Sequence, residues 1–178
     1  MRFLPSLQAD AVLLHMFQRT QEASSKLIEC HEVLMRGASP LSAADRELIA
    51  GFVSGLNACQ YCSGVHVATA EACGVEPGLI AQLVDGDIDS SPVADGLKPI
   101  LQYVKKLTEQ PSRMTQVDAD RVFAAGWNEQ ALHDAVSVCA LFNFMNRLVE
   151  GPACTPKGPI FQPQRRGSTR RDMRRCST

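Results

Sequence analysis

Apolar residues recur at three- and four-residue intervals through most of this chain, with no convincing stretch of polar–apolar alternation. That spacing lines one side of an α-helix and argues against half-buried strands. Val12, Leu13, Met16 and Phe17 form the first stripe, and Leu27, Ile28, Leu34 and Met35 the second. Gly37 and Ser39-Pro40 then stop a helix and turn the chain. Ser42, with Asp45 three residues on, reads as the capping pair of a helix from Ala43 to about Leu56. After a break at Asn57-Ala58, a helix is expected from near Cys59 to about Cys73, ended by Gly74. A short helix should start at Glu76-Pro77 and reach Leu83, and a long one should run from Pro92 to Thr108. Thr115 and Asn128 read as the caps of the last two helices, ended by Gly126 and by Gly151-Pro152. Hydrophobic residues are 45% of the chain, enough for a core, while aromatics are only 6%. Strands favour aromatic and β-branched side chains, so this balance favours helices. The 178 residues suit one all-α domain, a bundle of about seven or eight helices.

Charge is unevenly spread. Lys157, Arg165, Arg166, Arg170, Arg171, Arg174 and Arg175 follow Pro156 against Asp172 alone, although the whole chain carries a formal charge of −1. The expected division is a domain over 1–156 and a basic tail over 157–178 that reads as a solvated, flexible end. The acidic body has no basic stripe of the kind a nucleic-acid reader carries. No export-signal pattern and no apolar run of about 18 residues is evident, so no membrane partner is expected and the cytoplasm is the default location. Seven cysteines, an odd number, do not make a disulfide framework. In a reducing compartment a close pair reads instead as redox, catalytic or metal-binding.

One close pair stands out: Cys59-Gln60-Tyr61-Cys62, followed by His66. On a helix, residues at i, i+3 and i+7 share one face. The pair falls in the first turn of its expected helix, where unpaired amides and the macrodipole favour a thiolate. A thiolate attacks peroxides and disulfides, and a second thiol three residues away can resolve a sulfenic acid to a disulfide. An imidazole nearby can carry the proton. The competing readings are a zinc half-site and two packed, inert thiols. Zinc usually takes four ligands, and a set made from Cys59, Cys62, His66 and Cys73 would come from one helix, which suits tetrahedral geometry poorly. A thioredoxin-like pair would follow a strand, and none is evident.

The segment from Leu41 to Gly74, LSAADRELIAGFVSGLNACQYCSGVHVATAEACG, resembles the core of the alkylhydroperoxidase AhpD-like group of the carboxymuconolactone decarboxylase superfamily. Shared are a helical Glu (Glu47, twelve residues before Cys59), the CxxC, and a His four residues on. The flanking helices, including Phe142 to Arg147, also look like the peroxidase-related branch. The resemblance implies an all-α homo-oligomer, whether dimer, trimer or hexamer, and a thiol peroxidase needing no cofactor, metal or haem. It implies Cys62 as the peroxidatic thiol, Cys59 as the resolving thiol, and Glu47 with His66 as a proton relay onto Cys62. A Cys59–Cys62 disulfide would close each cycle, and a dithiol reductant of thioredoxin or lipoyl type would reopen it. The best-studied members carry a second His directly before the peroxidatic cysteine, where this chain has Tyr61. A phenol is a poor base at neutral pH but can donate a hydrogen bond or pack.

Other candidates weigh less. Tyr61 and Asn146 are accessory candidates; Asn143, Asn146 and Arg147 read equally as lying near the site or an oligomer contact and as helix-capping or buried salt-bridge residues. His15, His31 and His133 show no partner pattern and read as structural or solvent-facing. Trp127 reads as a packing anchor. Cys30, Cys73 and Cys139 read as core, and Cys154 and Cys176 as lying outside the body. Two further functions fit the segment: a redox switch using the same disulfide, and a lactone-decarboxylating enzyme, whose relatives typically lack the CxxC.

Overall fold

A computed structural model describes residues 3–8 and 10–154. Among these there are eight α-helices and no strand. They are α1 (Leu13–Arg19), α2 (Gln21–Arg36), α3 (Ala43–Leu56), α4 (Gln60–Ala72), α5 (Leu79–Asp85), α6 (Lys98–Glu109), α7 (Gln116–Ala124) and α8 (Glu129–Glu150). The expected boundary at residue 156, the basic tail and Cys176 lie outside the described residues.

Local signals set most helix starts. Ser42 Oγ accepts from the Asp45 amide at 3.1 Å, and Asp45 returns the bond by accepting from the Ser42 amide at 2.9 Å. Thr115 and Asp118 repeat this box at α7, and Asn128 Oδ1 caps α8 through the Ala131 amide at 2.9 Å. Two expected starts move. The helix expected from Pro92 begins at Lys98, after a 3₁₀ turn at Asp95–Leu97. Pro99 is the reason: it has no amide donor and clashes with the carbonyl four residues back, so it sits only in a first turn. Likewise α5 begins at Leu79, because Gly78 adopts a left-handed φ of 82° that no helix interior accepts.

Helix α3 lies at the centre and packs against α2, α4, α5, α6 and α8. Every residue from Arg46 to Ser54 is buried. A helix buried on all sides should be apolar all round. Arg46 and Glu47 break that rule and must find partners, because an unpaired buried charge is very costly. Arg46 donates to the Leu34 and Gly37 carbonyls at 3.0 and 2.8 Å, tying the C-terminal end of α2 to α3. Glu47 turns to the site. Trp127 packs on the core as an anchor, its Nε1 donating to the Gly96 carbonyl at 2.7 Å.

Candidate active site

The turn between α3 and α4 places the cysteine pair. Ala58 takes a left-handed φ of 54°, and the Cys59 amide reaches back to the Ser54 carbonyl at 3.0 Å. This is the wrapped ending that usually calls for glycine. Cys59 becomes the N-cap of α4, fully buried, and Cys62 falls in the first turn. His66, one turn on, is also buried.

Glu47 meets His66 directly. Its Oε2 lies 2.6 Å from His66 Nδ1, and its Oε1 accepts from Arg36 Nη2 of α2. Burial pushes the Glu47 carboxyl up, but the hydrogen bonds and charges of His66 and Arg36 outweigh it and leave it below its ordinary value. Glu47 is therefore ionised at neutral pH and can only accept. His66 Nδ1 must then carry a proton toward it, which leaves Nε2 as the acceptor when the ring is neutral. The Phe142 ring stands edge-on to the imidazole, with centroids 4.3 Å apart and planes at 74°, and fixes its orientation.

Cys62 and His66 share the wall of a cavity of about 350 Å³ between α1, α2, α4 and α8. The rest of that wall is almost entirely apolar: Leu13, Leu14, Phe17, Leu27, Ile28, Val65, Phe142 and Met145, joined by Tyr61 and His31. Hydrogen bonding from the Cys59 thiol holds the Cys62 thiol below its ordinary value, with Asn146 helping and burial opposing. Cys59 is pushed the other way, first by that same interaction and then by burial. The hydrogen bond between the two thiols thus lowers one and raises the other. Behind them, Asn146 donates to Ser54 Oγ at 3.0 Å and accepts from Asn57 Nδ2 at 2.9 Å, so α8 and the end of α3 are pinned together beside Cys62. Burial raises the Tyr61 phenol, and the Cys62 and Cys154 thiols add to it.

The expected set of Cys59, Cys62, His66 and Glu47 thus converges, with Tyr61 and Asn146 beside it. Asn143 lies one step out, donating to Thr108 Oγ1 at 3.2 Å, and Arg147 donates to the Asn143 carbonyl at 2.6 Å. Sequence reading missed Arg36, because no spacing rule links it to Glu47. It also misplaced His31, which lines the cavity with its ring 6.2 Å from that of His66. Burial first, and His66 second, lower the His31 imidazole below its ordinary value. The signal available was its spacing: Leu27, His31 and Leu34 lie on the inward stripe of α2. His15 and His133 are solvent-exposed, as expected. Cys139 is core, but Cys30 is exposed off the α2 stripe and Cys73 is half-buried at the far cap of α4. Cys154, expected outside the body, is buried beside Cys59 and Cys62. Among the described residues no group of three or more His, Cys, Asp or Glu side chains could hold a metal ion. No helix among them is long and apolar enough to cross a membrane.

Residues 21–89 match the carboxymuconolactone decarboxylase family. No curated protein matches the chain. An uncharacterized peroxidase-related protein from Silicibacter sp. TM1040 superposes with a TM-score of 0.76 at 25% identity, over 84% of this chain and 78% of that one. A second uncharacterized peroxidase-related protein, from Ralstonia eutropha JMP134 and described as an alkylhydroperoxidase AhpD core, gives 0.74 at 19% identity over 82% and 76%. A protein of unknown function from Agrobacterium tumefaciens gives 0.65 at 17% identity over 78% and 93%. Residues 21–89, α2 to α5, are thus similar to the carboxymuconolactone decarboxylase family, on a fold shared with these peroxidase-related structures.

Proposed function

We propose that this protein is a thiol-dependent peroxidase that reduces organic hydroperoxides. The observation that carries the reading is the Glu47–His66 contact on the same cavity wall as Cys62, with Cys59 behind it. In the proposed cycle, His66 Nε2 takes the Cys62 proton, and the imidazolium is stabilised by Glu47. The thiolate attacks the terminal oxygen of ROOH. The O–O bond breaks, the alkoxide leaves as ROH with the proton from His66, and Cys62 becomes a sulfenic acid. A Cys59 thiolate then attacks the Cys62 sulfur. The S–O bond breaks, hydroxide leaves as water with the proton Cys59 gave up, and a Cys59–Cys62 disulfide forms. An external dithiol, of thioredoxin or lipoyl type, restores both thiols.

The cavity supports this reading over lactone decarboxylation. A lactone acid brings a carboxylate, and the lining holds no Lys or Arg to meet it. An alkyl hydroperoxide needs an apolar sleeve for R and polar groups only at the O–O bond. The exposed apolar side chains of Ile28 and Val33 on α2 and Phe144 on α8 support self-association into a homo-oligomer. The test is peroxide consumption with a dithiol donor. Cys62→Ser should abolish it; undiminished turnover in that variant would sink the proposal.

A further inference from the structure

Three of the described cysteines, Cys59, Cys62 and Cys154, share one small buried cluster with Val12, Tyr61 and Val149. The third arrives by the same device as the first. After α8, Ala153 takes a left-handed φ of 58°, and the Cys154 amide reaches back to the Val149 carbonyl at 3.1 Å. Ala58 and Ala153 are the non-glycine residues with positive φ among those described, and each directly precedes a cysteine of this cluster. A left-handed alanine costs on the order of 1 kcal/mol, so nothing in the chain's own preferences puts Cys154 there. Burial first, then the charges of the Cys62 and Cys154 thiols, raise the Tyr61 phenol, in keeping with the three side chains' shared cluster.

Resting on the peroxidase reading, we propose that Cys154 is a second resolving thiol. Its thiolate attacks the sulfur of the Cys62 sulfenic acid. The S–O bond breaks, hydroxide leaves and is protonated to water by the proton Cys154 released, and a Cys62–Cys154 disulfide forms. Peroxide is the oxidant, and the cysteine oxidation level matches that of the Cys59–Cys62 product. Cys59 sits at the start of α4 and Cys154 follows α8, so the second thiol provides an independent route from another element.

The test uses the full chain with Cys59→Ser, exposed to one equivalent of cumene hydroperoxide, alkylated and mapped without reduction. The expected product is a Cys62–Cys154 disulfide. The doubly substituted Cys59→Ser, Cys154→Ser chain should keep a dimedone-reactive Cys62 sulfenic acid at least tenfold longer. A persistent sulfenic acid in Cys59→Ser with Cys154 still alkylated overturns the proposal, as does Cys154 paired only with Cys73 or Cys176. If Cys59→Ser does not fold, Cys59→Ala serves in the same assay, since an apolar side chain suits a fully buried position. A wild-type chain that forms Cys59–Cys62 while these variants form no Cys62–Cys154 bond defeats this inference alone. A wild-type chain whose Cys62 takes up no oxidant defeats the peroxidase reading as well.

Discussion

Replacing Glu47 by Gln separates the proton relay from the packing. The carboxylate accepts from two donors, Arg36 Nη2 on Oε1 and His66 Nδ1 on Oε2. A glutamine has nearly the same shape but only one accepting oxygen. The guanidinium can only donate, so the amide oxygen must face Arg36 and the amide nitrogen must face His66. The imidazole can answer by shifting its proton from Nδ1 to Nε2. Both contacts survive; the His66 contact loses its charge assistance, while the bond from Arg36 keeps the guanidinium charge and loses only its ion partner. A bond to a charged group contributes about 1.5–3 kcal/mol and a neutral one about 0.5–1.5, so the His66 loss is about 1 kcal/mol, and the lost ion pair adds about 1 more, about 2 kcal/mol in all. For a chain of this size that lowers Tm by about 4–8 °C. Chemistry suffers more, because Nε2 now carries the proton and cannot accept one from Cys62. Loss of a positioned general base costs about 10²–10⁴ in rate. Iodoacetamide alkylation of Cys62 across pH, beside a thermal melt and a peroxide assay, reads all three effects. A Glu47→Gln protein that folds with a slightly lowered Tm and reacts at the wild-type rate would refute the tautomer argument.

Other outcomes follow from the same contacts. Cys59→Ala removes the largest influence holding the Cys62 thiol low, so the midpoint of Cys62 alkylation should move to higher pH; an unmoved midpoint contradicts that assignment. His31 titrates below its ordinary 6.5 in the folded protein, so it contributes stability that is present above 6.5 and lost as pH falls through its lowered value. Urea melts from pH 7.5 to 5 should therefore show a decline that His31→Gln reduces. At Gly55, an added Cβ would lie 2.5 Å from Val84 Cγ2, so Gly55→Ala should cost about 1–3 kcal/mol. Adding Val84→Ala should recover part of that loss, and strict additivity of the two losses in chemical denaturation would contradict the clash.

The sequence was most legible where chemistry is local. The Ser42–Asp45 pair fixes the start of α3, and the CxxC with His66 one turn on fixes three reacting groups to one helix face, whatever surrounds them. Pro99 and Gly78 were equally local signals, and reading them strictly would have placed α6 and α5 correctly. What stayed hidden was contact between distant elements. Glu47 stood in the site by family spacing, yet its ion pair with Arg36 depends on how α2 crosses α3. That crossing is fixed by Arg46 capping the end of α2, which no periodicity reveals. His31 looked solitary because its partners, His66 and Phe142, lie on α4 and α8. Cys154 looked peripheral because a left-handed alanine, not a glycine, turns it inward.

The central claim is that Cys62 reduces peroxide and passes its oxidation to a neighbouring thiol. Thiol counting before and after one equivalent of an organic hydroperoxide, with the new disulfide located by peptide mapping, tests it most directly. The account predicts the loss of two thiols per peroxide, with Cys62 in the bond and Cys59 its main partner. Cys59 and Cys62 both still open to alkylation after the peroxide is added would contradict it.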